Sequence, residues 1–262
     1  MKILFLGDVV GRSGRDAAIG NLKKLRDEHT ADFIIVNVDN AAHGFGITPA
    51  IAEDFFAAGA DCLTLGNHGF DQKEILGVLD KEPRLIRGNN YPRGTPGRGN
   101  NIFNLKDGRK IAVLHTIGRL FMDDLDCPFQ RTNDDLQNLS LGGNVQAIFV
   151  DIHAEASSEK MALGHYLDGR VSAVVGTHTH IPTADCMVFP GGTAYQTDAG
   201  MCGDYNSVIG FVKDVPIQRY VRKMPTMKLE PALGPAQVRG CIVETDDKTG
   251  LAKSIAPIFV RS

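Results

Sequence analysis

The sequence predicts an α/β fold whose second half is richer in β-strands than its first. In the first half, short apolar runs alternate with stretches of helical periodicity, which is typical of βαβ units and a parallel sheet. In the second half, fewer helical stretches separate the apolar runs. Hydrophobic residues make up 43 % of the 262 residues, enough for a large core, and no linker-like segment divides them. We therefore expect residues 1–262 to form a single domain.

The strands and helices at the start of the chain follow in order from these patterns. Continuous apolar runs predict three buried strands: Lys2–Leu6, Phe33–Val38 and Cys62–Leu65. Small and apolar residues at helical spacing predict a helix over Asp16–His29. Thr48 is suited to be the N-cap, and Pro49 the first residue, of a second helix that should end near Gly59.

The rest of the chain is predicted in the same way. A helix is expected over Asp71–Leu79, because Asp71 and Glu74 have the spacing of a capping box. Further strands are predicted at Ile111–His115, Ala147–Ile152 and Val171–Val175, with a helix over Ser157–Leu167. Antiparallel strands are expected at Thr193–Gln196, Ser207–Val212, Gln237–Glu244 and Ala252–Phe259.

Composition excludes several classes of protein. With 28 basic and 31 acidic residues the net charge is −3, so the surface is a poor generic clamp for nucleic acid, although a local pocket can still bind a small phosphorylated substrate. Asp8 interrupts the apolar N-terminal run, and no run is long enough to span a membrane. The five cysteines are an odd number without a C-x-x-C pair. We expect reduced thiols and a cytoplasmic protein.

Polar residues able to bind metals follow five of the predicted strands. They are Asp8, then Asp39 and Asn40, then Asn67 and His68, then His153, and finally His178 and His180. In open α/β sheets, ligands bind just outside the carboxyl ends of the strands, so these side chains converge if the strands are parallel neighbours. So many ligands fit two ions bridged by a carboxylate better than one ion. Oxygen and nitrogen ligands without thiolate favour Mn, Fe or Zn over Mg or Ca.

Each of these residues also has a purely structural interpretation. Asp8 could cap the following helix, the asparagines could form turns, and a single histidine such as His153 is more often structural than a ligand. The pair His178 and His180 favours a metal, because i, i+2 spacing on an extended segment places both imidazoles on one side. Because potential metal ligands follow five different strands, a metal site is a better interpretation than five independent structural roles. Of the other histidines, only His115, which also follows an apolar run, is a candidate for lining the pocket.

Several motifs extend this interpretation over nearly the whole chain. They include GDVVGRSGR, DNAAHGFGIT, GNHGFDQKEI, VDIHAEASSEK and GTHTHIPTAD. Together they resemble the calcineurin-like metallophosphoesterase superfamily, and more closely its YmdB-like branch. The resemblance implies an α-β-β-α sandwich of two mixed sheets flanked by helices. It also implies hydrolysis of small phosphodiesters such as 2′,3′-cyclic nucleotides, two divalent ions per chain and a homo-oligomer.

The resemblance also implies a role for each residue of the cluster. Asp8, His180 and Asn40 would bind the first metal ion, Asn67, His153 and His178 the second, and Asp39 would bridge the two. His68 would donate a proton to the leaving oxygen.

Three positions depart from the usual family pattern. Val10 replaces the histidine of the superfamily's D-x-H opening, as it does throughout the YmdB-like branch. Asp39 stands where that branch usually has glutamate, which is one methylene longer. Gly69 stands where the superfamily often has an acid after G-N-H. The acid that orients His68 must then come from elsewhere, and Asp71 is the local candidate.

The sequence leaves more than one role possible for several arginines and more than one activity possible for the cluster. Arg93 and Arg98, in the Pro/Gly-rich segment Tyr91–Asn101, could guide a phosphate or could belong to a surface loop or an oligomer contact. Arg12 and Arg15, beside Asp8 at a predicted helix start, could touch the substrate, but pairing with nearby acids is the preferred interpretation. A phosphomonoesterase, a protein phosphatase or a nuclease could use the same cluster, although no basic track suits long polymers. A metal- or nucleotide-binding regulator with little turnover is the alternative from another class.

Overall fold

The computed structural model describes residues 1–224 and 227–261 and shows two β-sheets stacked between layers of helices. The first sheet contains β1 (Lys2–Leu6), β2 (Asp8–Val9), β3 (Phe33–Asn37), β4 (Cys62–Leu65), β5 (Leu85–Arg87), β12 (Met201–Asp204), β13 (Ala236–Thr245) and β14 (Ala252–Arg261). The second contains β6 (Asn100–Asn104), β7 (Lys110–Ile117), β8 (Ala147–His153), β9 (Ala173–Thr177), β10 (Met187–Val188) and β11 (Ala194–Gln196). The helices are α1 (Gly11–His29), α2 (Pro49–Ala57), α3 (Pro128–Leu136), α4 (Ser157–Tyr166) and α5 (Asp214–Arg222), and a 3₁₀ helix spans Lys73–Gly77.

Both sheets are mixed. In the first, β1, β3, β4 and β5 are parallel neighbours, and β13 pairs antiparallel with β1, β12 and β14. In the second, β7, β8, β9 and β11 are parallel neighbours, with β6 and β10 antiparallel at the two edges. The predicted sandwich of two mixed sheets flanked by helices is therefore confirmed.

The layer order follows from the alternation of side chains along each strand. In β1, Leu4 and Leu6 pack into the core between the first sheet and its helices, whereas Ile3 and Phe5 face the second sheet. The ring of Phe5 lies 5.0 Å from that of Phe149 in β8. Successive side chains point to opposite faces of a strand, so a strand covered on both faces is apolar at every position. This is why these strands appear in the sequence as continuous apolar runs.

The early boundaries agree closely with the predictions. The hydroxyl of Thr48 accepts a hydrogen bond from the backbone N–H of Ile51 at 3.3 Å, so the predicted N-cap is confirmed. The helix expected over residues 16–29 begins earlier, at Gly11, where the backbone has a positive φ of 61°. No helix in the described part of the chain is long and apolar enough to cross a membrane.

Two predicted elements are wrong. Within residues 71–79 only Lys73–Gly77 are helical, as a 3₁₀ helix, and Asp71 does not cap it, because its carboxylate contacts His68 instead. Residues 207–212 form a turn rather than a strand, with positive φ at Ile209 (46°) and Gly210 (94°). The turn brings the carbonyl of Ile209 within hydrogen-bond distance of His180.

The strands after residue 190 are only partly as expected. β13 and β14 are antiparallel, as predicted. β11 is parallel to β9 and antiparallel only to the two-residue strand β10. β2, β5, β6, β10, β12, α3 and α5 were not predicted. The five strands have only two to five residues each, too few to show a period, and the two nine-residue helices were overlooked.

Candidate metal centre

The polar residues that follow the five strands meet between the carboxyl ends of the two sheets. Oδ1 of Asn67, after β4 in the first sheet, lies 3.0 Å from Nε2 of His153 at the end of β8 in the second. The backbone N–H of His178, after β9, donates to Oδ2 of Asp8, after β1, at 3.0 Å. The ligand-bearing strands are therefore parallel neighbours within each of two sheets, and the cluster spans the gap between the sheets.

Local backbone geometry makes room for the cluster. A Cβ on Gly66 would lie 2.2 Å from Nε2 of His153, so only glycine admits this imidazole. His178 and His180 do not lie on an extended segment, as the sequence suggested, because their φ angles are 95° and 66°. This tight turn directs His178 towards His153 and His180 towards Asn40. Such backbone conformations are costly for residues other than glycine and often occur at functional sites.

Three side-chain atoms lie close to Nε2 of His153. Nε2 of His153 lies 3.0 Å from Oδ1 of Asn67, 3.2 Å from Nδ1 of His178 and 3.3 Å from Oδ2 of Asp39. With metal–ligand bonds of about 2.1 Å, neighbouring ligands of a tetrahedral or octahedral ion are roughly 3.0–3.4 Å apart. The three distances from Nε2 of His153 are therefore those expected between neighbouring ligands of one metal ion.

The ring of His153 is oriented by a hydrogen bond behind it. Its Nδ1 lies 2.9 Å from the hydroxyl of Thr177, and that hydroxyl lies 2.8 Å from Oδ1 of Asp151, to which it donates. The hydroxyl must then accept from Nδ1–H of His153, so Nε2 carries a lone pair. That lone pair points at the oxygens of Asn67 and Asp39, with no hydrogen between them to bond.

The other two imidazoles are oriented in the same way. Nε2 of His178 lies 3.2 Å from Oε2 of Glu155, and Nδ1 of His180 donates to the carbonyl of Ile209 at 2.8 Å. Burial is the main cause that lowers the pKa of His178 to about 2, and burial also lowers the pKa of His180. Both rings are therefore neutral near pH 7 and turn a lone pair inwards, which is the state that binds metals.

A second pair of acceptors faces inwards at the other side of the cluster. Nε2 of His180 lies 3.2 Å from Oδ1 of Asn40. The amide nitrogen of Asn40 donates to the carbonyl of Gly44 at 3.0 Å, which fixes Oδ1 on the side of His180. Two acceptors at this distance have no proton to share, and a cation between them would satisfy both.

The two carboxylates are both fully buried. Oδ1 of Asp8 has no hydrogen-bond partner, and burial, together with the charge of Asp198, raises the pKa of Asp8. Both oxygens of Asp39 accept from the backbone N–H of His68, at 3.0 and 3.3 Å. Burial raises the pKa of Asp39, but the imidazoles of His153, His68 and His115 favour its charged form whenever they are protonated, and the net shift is downwards.

The whole cluster fits bound metal ions when its amides are counted. Among the described residues, no three or more His, Cys, Asp or Glu side chains are arranged to hold an ion by themselves. Asn40 and Asn67 complete the two groups, and amide oxygens are suitable ligands for hard and intermediate cations. The unpartnered oxygen of buried Asp8 and the inward lone pairs are then accounted for.

His68 occupies the solvent side of the cluster. Its side chain is 27 % exposed, and Nδ1 lies 2.8 Å from Oδ2 of Asp71. The ring packs edge-on against Phe45, with the centroids 5.0 Å apart. The hypothesis that Asp71 orients His68 agrees with this contact, which leaves Nε2 available for a substrate atom.

The arginines outside the cluster have mostly structural contacts. Arg93 is exposed, and Arg98 donates to the carbonyl of Asp80 at 3.2 Å. The loop they belong to is held by Arg87, whose guanidinium donates to four backbone carbonyls. These contacts support the loop interpretation for Arg98 and assign no substrate contact to Arg93.

Arg12 and Arg15 differ from each other. Arg12 lies 3.7 Å from Asp16, the ion pair that was expected. Arg15 instead donates to the carbonyl of Ala41 at 2.6 Å, in the loop that follows Asn40. Its contribution is thus to support that loop.

Supporting residues behind the ligands were missed by sequence reasoning. Asp151 and Glu155 lie two positions either side of His153, and this spacing along the strand and its extension was a usable signal. Lys160 and Asp198 form a fully buried ion pair of 2.8 Å, and Asp198 also accepts from the backbone and hydroxyl of Thr179. No local pattern indicates this pair.

His115 lies behind the centre rather than in it. It is fully buried, with Nδ1 3.0 Å from Oδ2 of Asp151 and its ring centroid 5.9 Å from that of His153. The expectation that His115 lines the pocket is wrong, because β7 continues past it to Ile117 inside the second sheet.

Two known proteins are similar to this chain over nearly its whole length. The chain is 42 % identical over 260 residues to the 2',3'-cyclic-nucleotide 2'-phosphodiesterase of Bacillus subtilis (strain 168), covering 99 % of this chain and 97 % of that protein. It is 35 % identical over 256 residues to a putative phosphatase/phosphodiesterase of Mycoplasma pneumoniae, covering 95 % of this chain and 89 % of that protein. This sequence similarity shows that the protein is a phosphoric ester hydrolase.

Two solved structures share the fold along the whole chain. A hypothetical protein from Thermus thermophilus superposes with a TM-score of 0.92 at 39 % identity, covering 100 % of this chain and 99 % of the other. A structure described as a novel phosphatase from Mycoplasma pneumoniae also gives a TM-score of 0.92, at 32 % identity, covering 100 % and 93 %. A family profile described as YmdB-like protein matches residues 4–258. The chain therefore belongs to the YmdB-like protein family.

Proposed function

We propose that this protein hydrolyses small cyclic phosphodiesters, with 2′,3′-cyclic nucleotides as the substrate class. The observation that carries the proposal is a set of inward-facing lone pairs beside a solvent-accessible histidine–carboxylate pair. The name of the Bacillus subtilis relative supports the same substrate class. A cytoplasmic location and a homo-oligomeric state remain predictions from the sequence.

Two divalent ions, Fe or Mn with Zn as the alternative, are proposed to occupy the cluster. Asp8, Asn40 and His180 would hold one, Asn67, His153 and His178 the other, and Asp39 would lie between them. When bound, the ions would supply the Lewis acidity that activates water and offsets the charge developing on the phosphoryl oxygens. Asp39 is shorter than the glutamate usual in this family. Asp39 nevertheless reaches into the cluster. Its Oδ2 lies 3.3 Å from Nε2 of His153, and both of its oxygens accept from the backbone N–H of His68, at 3.0 and 3.3 Å.

His68 is proposed to act as the general acid. Asp71 engages Nδ1 of the ring, so Nε2–H can point at the leaving oxygen. Attack of water on phosphorus breaks the bond to the ribose 2′ oxygen, and the proton from His68 passes to that oxygen. The products are then a 3′-phosphate and a free 2′ hydroxyl, and His68 is reprotonated from solvent. Protonation of an alkoxide by a placed acid contributes about 10²–10⁴-fold in rate.

A phosphomonoesterase is the second candidate function. The Mycoplasma pneumoniae relative is named for both phosphatase and phosphodiesterase activity, and His68 could protonate the leaving group in either reaction. A regulator with little turnover is less well supported, because it does not require the pairing of an accessible histidine with Asp71.

The test combines metal analysis with product identification. Protein purified without chelator is assayed for Fe, Mn and Zn, and its action on 2′,3′-cAMP, 3′-AMP and 2′-AMP is compared. We expect about two ions per chain, release of 3′-AMP and no attack on the monoesters. Asp39→Asn should lose metal and activity together, whereas Asp27→Asn, on the surface of α1, should lose neither. Metal-loaded protein that leaves every cyclic nucleotide intact would contradict the proposal.

A further inference from the structure

One turn of the chain carries ligands of both proposed ion sites. At one end of the turn, Nε2 of His180 lies 3.2 Å from Oδ1 of Asn40. At the other end, Nδ1 of His178 lies 3.2 Å from Nε2 of His153. Only Thr179 separates the two histidines of the turn along the chain. The backbone at Thr179 therefore decides how the imidazole of one site is placed relative to the imidazole of the other.

The backbone of this turn has a conformation that histidine rarely adopts. The φ angles are 95° at His178 and 66° at His180, in the region that favours glycine. Such residues persist where the surrounding structure holds them in place. Glu155 lies 3.2 Å from Nε2 of His178, and the carbonyl of Ile209 accepts from Nδ1 of His180 at 2.8 Å. Both contacts act on the rings, so the backbone between the rings needs support of its own.

Asp198 supplies this support. Its Oδ2 accepts from the backbone N–H of Thr179 at 3.1 Å and from the hydroxyl of Thr179 at 2.7 Å. Its Oδ1 accepts from the backbone N–H of Gly200 at 2.8 Å. The backbone N–H of Asp198 donates to the hydroxyl of Thr183 at 2.9 Å, and the N–H of Thr183 donates to the carbonyl of Asp198 at 3.0 Å. Asp198 thus holds the turn at its centre and again at residue 183.

The charge of Asp198 is balanced inside the protein. Asp198 and Lys160 are both fully buried, and Nζ of Lys160 donates to Oδ2 of Asp198 at 2.8 Å. The lysine side chain passes Gly176, where a Cβ would lie 2.8 Å from Cδ of Lys160. A buried carboxylate is costly unless it is both paired and hydrogen-bonded, and Asp198 meets both conditions. With donors on each of its oxygens, the carboxylate is fixed in position.

We propose that Asp198, Lys160 and Thr179 form a clamp that holds the turn between His178 and His180 and thereby fixes the placement of one proposed ion relative to the other. The inference rests on the proposed function and adds positioning residues to it. Replacing the Thr179 hydroxyl by a methyl group removes one hydrogen bond of the clamp and leaves every proposed ligand and every charge in place. Such a change should therefore alter the arrangement of the two ions without removing a ligand.

Titration with Mn²⁺, followed by electron paramagnetic resonance, tests the proposal, because it measures both the affinity for the ions and the magnetic coupling between them. Thr179→Val should weaken Mn²⁺ binding by about tenfold and reduce the coupling. Thr179→Ser keeps the hydroxyl and should restore both. Thr193→Val is the matched control, because the buried hydroxyl of Thr193 also holds a loop, donating to the carbonyl of Val171 at 2.8 Å. This control should lower Tm and leave affinity and coupling unchanged.

Hydrogen exchange of the metal-free proteins examines the clamp without any ion. The amides of residues 178–183 should exchange faster in Thr179→Val than in the wild type or in Thr193→Val. Equal exchange in all three proteins, or two bound ions with the same affinity and coupling in Thr179→Val as in the wild type, would overturn the clamp and leave the proposed function standing. Wild-type protein that bound no Mn²⁺ would overturn the proposed function and the clamp together.

Discussion

Nδ1 of His68 lies 2.8 Å from Oδ2 of Asp71, three residues further along the chain. Asp71 was expected to cap a helix, and the contact explains why it does not: its carboxylate is engaged by the imidazole. Both side chains are partly exposed, at 27 % and 45 %, so the pair lies where a substrate can reach it. The local sequence H-G-F-D thus supplies both the proposed acid and its partner.

Asp71→Asn should alter the pH dependence of the reaction. The carboxylate engages Nδ1 of His68 at 2.8 Å and orients the proposed acid, so its replacement by an amide should change the profile of rate against pH. The measurement is kcat for 2′,3′-cAMP across pH 5–9, with Asp27→Asn as the surface control. An unchanged profile would show that Asp71 does not orient the acid.

His68→Ala should separate substrates by their leaving groups. Because an alkoxide needs a proton, kcat for 2′,3′-cAMP should fall by about 10²–10⁴-fold. Nitrophenolate leaves readily without one, so hydrolysis of bis-p-nitrophenyl phosphate should fall far less. Equal losses on both substrates would point to a role in substrate or metal binding instead.

Glu155→Ala should weaken metal binding, although Glu155 touches no proposed metal ion. Its Oε2 lies 3.2 Å from Nε2 of His178 and holds the ring with its lone pair inwards. Loss of such a supporting contact typically costs 10–100-fold in metal affinity. Competition titration with Mn²⁺ measures the change, and Glu28→Ala on α1 serves as the control. Equal affinities in the two variants would exclude this role.

Asp8→Asn should stabilise the metal-free protein and abolish its stabilisation by metal. Folding without metal must either bury the charge of Asp8 or protonate it, and both cost free energy. The amide avoids this cost, so Tm in chelator should rise by roughly 2–8 °C, from about 1–2 kcal/mol. Added Mn²⁺ should raise the Tm of the wild type only. A lower Tm of the variant in chelator would contradict the expectation.

Gly66→Ala and Gly20→Ala form a matched pair. A Cβ at residue 66 would overlap the ring of His153, at 2.2 Å, so this variant should lose metal and stability. Nothing lies within 4 Å of a Cβ at residue 20, inside α1, so alanine there should stabilise the protein by about 0.5–1 kcal/mol. Thermal unfolding with and without Mn²⁺ distinguishes the two variants. Equal effects of the two substitutions would show that the close approach of His153 does not require glycine at residue 66.

The sequence by itself determined the strands that carry the site and most residues of the cluster. β1, β3, β4 and β8 are buried on both faces, so each is a mainly apolar run, and a polar residue after it is easily recognised. Asp8, Asn67 and His153 were identified in this way. Whether they bind metal stays a prediction.

Only the tertiary structure decided how these strands are divided and what supports the ligands. Two sheets rather than one bring Asn67 within 3.0 Å of His153, 86 residues away, and no local pattern records such a contact. The turn at Ile209 replaces a predicted strand because its carbonyl accepts from His180, 29 residues earlier. Hydrophobic periodicity reports the burial of neighbouring residues, whereas these hydrogen bonds depend on partners that only the folded chain brings together.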